Sequence, residues 1–105
     1  MSNAVVVTAV FPPAPGRRED LRAAIEGALP DVHAEDGCLL YALHDAADGT
    51  LVLIEKRESQ ELLDAHSTGE PVKRLRAAID GLVEGSAAVV TMTPLPAGDP
   101  VKGRI

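Results

Sequence analysis

His66 and Glu55 are the side chains of this 105-residue chain best suited to moving a proton. An imidazole changes charge near neutral pH without a large environmental shift. A carboxylate near the end of an apolar strand, as Glu55 is, needs a partner. Leu53, Glu55 and Arg57 fall on one face of that strand, since side chains alternate with period two. If this face looks toward the helices, Arg57 and, from a later helix, Arg76 can approach one pocket and hold an anion there. Tyr41 lies in the preceding strand and can donate its hydroxyl to a bound oxygen atom. Each assignment has a structural competitor. His66 can bond a backbone carbonyl or Glu55 at a helix end, and Glu55 can form an ion pair with an arginine, the reading favoured for it. Arg57 and Arg76 can be solvated surface residues, the commoner fate of arginine. For Tyr41, core packing with a satisfied hydroxyl is the commoner outcome.

Other chemistries find little support. His33, His44 and His66 are scattered without metal-ligand spacing, and His33 and His44 read as exposed residues without a role. The one cysteine, Cys38, cannot form an internal disulfide or a cysteine-rich zinc site. It reads as a small buried apolar residue rather than a reactive thiol. Sixteen acidic against ten basic residues give a formal charge of −6, which disfavours nucleic acid as a partner. Phe11 and Tyr41 are the only aromatics apart from the histidines, so there is no platform for stacked bases and little for a stacked haem or flavin. Glycines fall only at turns and helix ends, with no nucleotide-binding motif.

The elements that must position these residues follow from periodicity. With 46% hydrophobic and 25% charged residues, residues 1–105 read as one compact domain. No apolar stretch approaches the ~20 residues of a membrane span. No secretory signal is recognised at the N-terminus, so a cytoplasmic location is the default. Residues 1–4 resemble an expression scar and are set aside. Val5 to Phe11 is a first strand, ended by Pro12-Pro13. From Arg17, Leu21, Ile25, Ala28, Leu29 and Val32 mark a helix, kinked rather than ended at Pro30 and stopped at Gly37. Cys38 to His44 and Thr50 to Arg57 form a hairpin closed by an Asp48-Gly49 turn. Ser59 caps a short helix through His66, and Pro71 opens another that carries Val72, Leu75, Ile79 and Leu82 and stops at Gly85. Ala87 to Thr93 is a fourth strand.

This β-α-β-β-α-β order predicts a ferredoxin-like α+β fold, an antiparallel sheet with helices on one face. The central strands are apolar on both faces: Leu39 to Leu43 and Leu51 to Ile54 show no alternation. Helices can cover only one of these faces. A homodimer packed sheet against sheet is therefore expected. The Pro/Gly-rich tail, residues 94–105, is expected to cross onto the partner subunit through Val101 and Ile105.

An ordered set of short motifs carries a family resemblance: Pro15-Gly16-Arg17, Glu35-Asp36-Gly37-Cys38, Tyr41, Ile54-Glu55, Glu58-Ser59 and Ala65-His66. In sequence the chain resembles the antibiotic biosynthesis monooxygenase (ABM) domain family, and within it the quinol monooxygenase-like branch. The tail Gly98-Asp99-Pro100-Val101-Lys102-Gly103 is also similar to that branch. The resemblance implies a dimeric α/β barrel that inserts oxygen without metal or organic cofactor. It implies a small aromatic substrate, often a quinol, and dioxygen as partners. A base would remove a phenolic proton and the resulting anion would reduce dioxygen directly.

The chain also departs from the family. Arg57 stands where many members carry a tryptophan. The site asparagine, tryptophan and tyrosine of polyketide-oxidising members fall on Leu53, Arg57 and Leu63, while their arginine is kept as Arg76. The asparagine, tryptophan and histidine of the haem-degrading branch fall near Ala9, on His66 and near Arg76, so haem degradation is rejected. The expected site is thus His66 and Glu55 as acid–base groups, with Arg57, Arg76, Tyr41, Leu53 and Leu63 against the substrate. The alternative is a non-catalytic dimeric module that binds a small aromatic metabolite.

Overall fold

The computed structural model describes residues 3–105. The expectation for residues 1–4 falls in part on residues 1 and 2, outside the described residues. The elements run β1 (Val5–Phe11), α1 (Arg18–His33), β2 (Cys38–Asp45), β3 (Leu51–Arg57), α2 (Gln60–Ser67), α3 (Glu70–Ile79) and β4 (Ala88–Met92). The strands form one sheet in the order β2-β3-β1-β4, every pair antiparallel. This is the expected ferredoxin-like α+β fold. Among the described residues, no helix is long and apolar enough to cross a membrane.

Pairing decides which residues share a face. Val7 lies opposite both Glu55 and Thr91, Ala9 opposite Leu53 and Val89, and Tyr41 opposite Glu55. That face meets the helices. Leu21, Ile25 and Val32 of α1 and Leu75 of α3 pack with Phe11, Tyr41, Leu51 and Leu53 in the main core. Leu63 of α2 packs with Val5 and Val7 in a smaller cluster. The opposite face carries Leu40, Ala42, Val52, Ile54, Val90 and Met92, and among the described residues no helix packs over it.

Local chemistry explains most element ends. α1 runs through Pro30, which removes one backbone donor without ending the apolar phase. Gly37 adopts φ +80°, and a Cβ there would lie 2.8 Å from that of Leu62. Glycine is therefore required both by the left-handed backbone and by the close pass of α2. Ser59 has extended backbone and its side chain accepts the Leu62 N–H, capping α2. Pro71 sits in the first turn of α3.

Two helices end earlier than expected: α1 stops at His33 rather than continuing to Gly37, which lies in the turn that follows, and α3 is cut short as well. α3 ends at Ile79, not at Gly85, because Asp80 leaves helical geometry (φ −57°, ψ 128°) and Gly81 turns left-handed at φ +79°. Leu82 is buried, but from the connection beyond the helix rather than from its stripe. That connection is tied to the segment after β1: Ala14 N–H donates to the Leu82 carbonyl and Glu84 N–H to that of Pro12. The tail folds back on its own chain, where Asp99 accepts the Val101 and Lys102 N–H groups and Lys56 donates to the Ile105 carbonyl at 2.6 Å.

Candidate active site

A cavity of about 420 Å³ lies between the sheet and α2–α3. Val7, Ala9 and Phe11 of β1, Val89 of β4, Leu63 of α2 and Leu75 of α3 give it apolar walls. Its polar groups include Tyr41, Glu55, His66 and Arg76. This volume is in the range of small-molecule sites, and so is the pattern of apolar lining with a few convergent polar groups. A more open depression of about 510 Å³ near Asn3, Ser59 and Glu61 holds none of these four residues.

His66 is set by the last turn of α2 and is buried. Its Nδ1 lies 2.6 Å from Glu35 Oε1 and its Nε2 lies 3.5 Å from Glu55 Oε2. The Tyr41 ring meets the imidazole edge-on, with centroids 5.7 Å apart. Glu55 is brought here by the register that pairs it with both Val7 and Tyr41. The same Glu55 oxygen accepts Arg57 Nε at 2.7 Å. Glu55 therefore does both things its position allowed, facing His66 and pairing with an arginine.

Arg57 does not border the cavity. It was expected beside a bound anion, but its side chain is 0% exposed. Nε is held by Glu55, and Nη2 lies 3.4 Å from Glu35. The guanidinium carbon stands 5.8 Å from the centre of the Tyr41 ring. Two carboxylates leave the buried guanidinium no reason to turn outward, since an unpaired buried ion costs several kcal/mol. Leu53 is likewise enclosed in the core, away from the cavity. Leu63 and Tyr41 line it. Arg76 lines it from an exposed position on α3 and is the guanidinium within reach of a ligand.

Glu35 is the residue that sequence reasoning named without giving it a role. It sits in the turn between α1 and β2 and reaches both His66 and Arg57. The available signal was its position three residues before a strand whose first residue, Cys38, pairs with Arg57. Neither His33 nor His44 enters the site. His33 Nε2 donates to the Tyr41 carbonyl at 2.8 Å, tying α1 to β2, and His44 is exposed.

Burial shapes the remaining acid–base chemistry. Desolvation, reinforced by the negative charge of Glu55, pushes the Tyr41 phenol well above its usual range. It can donate a hydrogen bond but cannot serve as a base near neutrality. Desolvation also pushes the Cys38 thiol up, in keeping with a packing role. Among the described residues, no three histidine, cysteine or carboxylate side chains are arranged to hold a metal ion.

Comparison with known proteins joins this geometry to a family. Residues 4–78 match the family described as antibiotic biosynthesis monooxygenase. Rv0793 of Mycobacterium tuberculosis, provisionally named a monooxygenase, is 38% identical over 96 residues, covering 90% of this chain and 95% of that protein. Its solved structure superposes with a TM-score of 0.83 at 36% identity, covering 92% of this chain and 100% of the other. A Shewanella oneidensis protein superposes with a TM-score of 0.78 at 27% identity, covering 88% and 91% of the two chains. The chain belongs to the antibiotic biosynthesis monooxygenase family.

Proposed function

We propose that this protein is a cofactor-independent monooxygenase acting on a quinol or another hydroxylated aromatic, and that it works as a homodimer. The observation that carries the reading is the apolar cavity with His66 and Glu55 on one wall and Arg76 at its edge. A phenol bound there loses its proton to the Glu55–His66 pair. Arg76 balances the phenolate charge, and the protonated Tyr41 hydroxyl donates to a ligand oxygen. The electron-rich anion then reduces dioxygen directly. In a quinol, one oxygen atom joins a ring carbon that bears a hydrogen, next to a phenolic carbon, and becomes the hydroxyl of a hydroxyquinone. Of the three hydrogens released from that carbon and the two phenolic groups, one stays on the new hydroxyl and two leave with the other oxygen atom as water. Apolar walls keep bulk water from the anion.

The test is oxygen consumption with a panel of reduced quinols, without added flavin or metal. Turnover is expected, and His66→Ala should lower it by about 10²–10⁴-fold while the fold is retained. Activity that survives the substitution would leave His66 structural.

One observation favours the binding-module alternative. Arg57, in place of the family tryptophan, is turned away from the cavity, so Phe11 and Tyr41 are the only aromatic side chains besides His66 along its wall. Saturable binding of quinols without oxygen uptake would select that reading. The homodimer is supported by the outer sheet face, where Val90 is 53% and Met92 39% exposed beside half-buried Val52 and Ile54.

A further inference from the structure

Glu35 stands outside the cavity, yet it makes the shortest polar contact to His66, 2.6 Å from Oε1 to Nδ1. Its carboxylate is fixed from several sides. Arg57 Nη2 approaches the same oxygen at 3.4 Å. The other oxygen, Oε2, lies 3.3 Å from where a Cβ on Gly69 would stand, so the bare N-cap of α3 gives it room. The backbone is held as well, by Glu35 N–H to the Val32 carbonyl and Cys38 N–H to that of Glu35.

The charged and titratable groups facing His66 come from three elements. They are Glu35 from the α1–β2 turn, Glu55 with Arg57 behind it from β3, and the Tyr41 ring from β2. Arg76 of α3 lines the same cavity. A carboxylate can only accept, so the nitrogen facing Glu35 at 2.6 Å must carry a proton. That leaves Nε2 as the ring atom on the side of Glu55 and the cavity.

We propose that Glu35 is the positioning residue of this site: by accepting a hydrogen bond from Nδ1–H it fixes the tautomer and plane of the His66 ring and reserves Nε2 for proton exchange with Glu55 and a ligand. Its consequence for turnover rests on the acid–base role of His66 proposed above. The contact itself does not.

The experiment reads the ring directly, by nitrogen–proton correlation spectra of the full chain without ligand across a pH series. Wild-type His66 should keep a proton on Nδ1 whenever the ring carries only one. In Glu35→Ala the single proton should move to Nε2, where Glu55 can accept it. Glu35→Gln, which keeps an acceptor oxygen, should retain the Nδ1 proton. An unchanged His66 tautomer in folded Glu35→Ala overturns the proposal. If that variant does not fold, Gly69→Ala serves in its place, because a methyl there presses on Oε2. It should shift the Nδ1 signal, and no shift overturns the proposal equally.

With an active quinol, Glu35→Ala should lower kcat by about 10²-fold with little change in KM. A raised KM at unchanged kcat would instead assign Glu35 to substrate binding. If no quinol supports oxygen uptake but the tautomer moves as described, the monooxygenase reading fails and the positioning role stands.

Discussion

Tyr41 shows at the scale of one residue how burial sets chemistry. Its side chain lines the cavity, and both desolvation and the negative charge of Glu55 disfavour the tyrosinate. Because the folded state raises this acid above its unfolded value of about 10, folding stability is fully present below that pH. It falls as pH rises beyond it. Urea midpoints measured across the alkaline range should therefore decline more steeply for the wild type than for Tyr41→Phe; parallel declines would assign the loss to other groups. Single-residue legibility was uneven for a related reason. Period two placed Leu53, Glu55 and Arg57 correctly on one face, but it carries no measure of depth. Leu53 and Arg57 lie within the core and Glu55 at the cavity. Glu35 acts only after the fold brings the start of β2 against the end of β3.

Between elements, the tightest dependence is the passage of α2 over the α1–β2 turn. Gly37 supplies the left-handed backbone there, and Leu62 fills the space where a side chain would be. Gly37→Ala should cost about 2–4 kcal/mol, combining the left-handed penalty with overpacking. Chemical denaturation would measure it, and a loss under about 1 kcal/mol would mean that α2 yields easily. Strands, helix starts and the Ser59 cap could be read from sequence because each rests on local chemistry. The end of α3 could not. Gly81 and Gly85 both take positive φ, and what separates them is the backbone pairing of the later segment with Pro12 and Ala14. That contact is remote in sequence.

For the whole molecule, the unalternated strands were informative. They predicted an apolar outer face, and Val90, Met92, Val52 and Ile54 provide it. How a second copy would sit on that face is not encoded in any one strand. Sedimentation should find a dimer at micromolar concentration, whereas a stable folded monomer would contradict the homodimer reading. Cutting the chain after Leu95 should weaken association, since Val101 is 80% and Ile105 53% exposed on the tail that would be removed. Unchanged dimer affinity would place the interface on the sheet alone.

The scarcity of aromatic residues also makes the cavity optically legible. The chain has one tyrosine and no tryptophan, so its near-ultraviolet emission originates at Tyr41, inside the cavity wall and edge-on to the His66 ring. A quinol or quinone that settles there absorbs at the tyrosine's emission wavelengths and quenches it. Occupancy can thus be followed by fluorescence in the unlabelled wild-type protein, with no probe attached and no residue replaced.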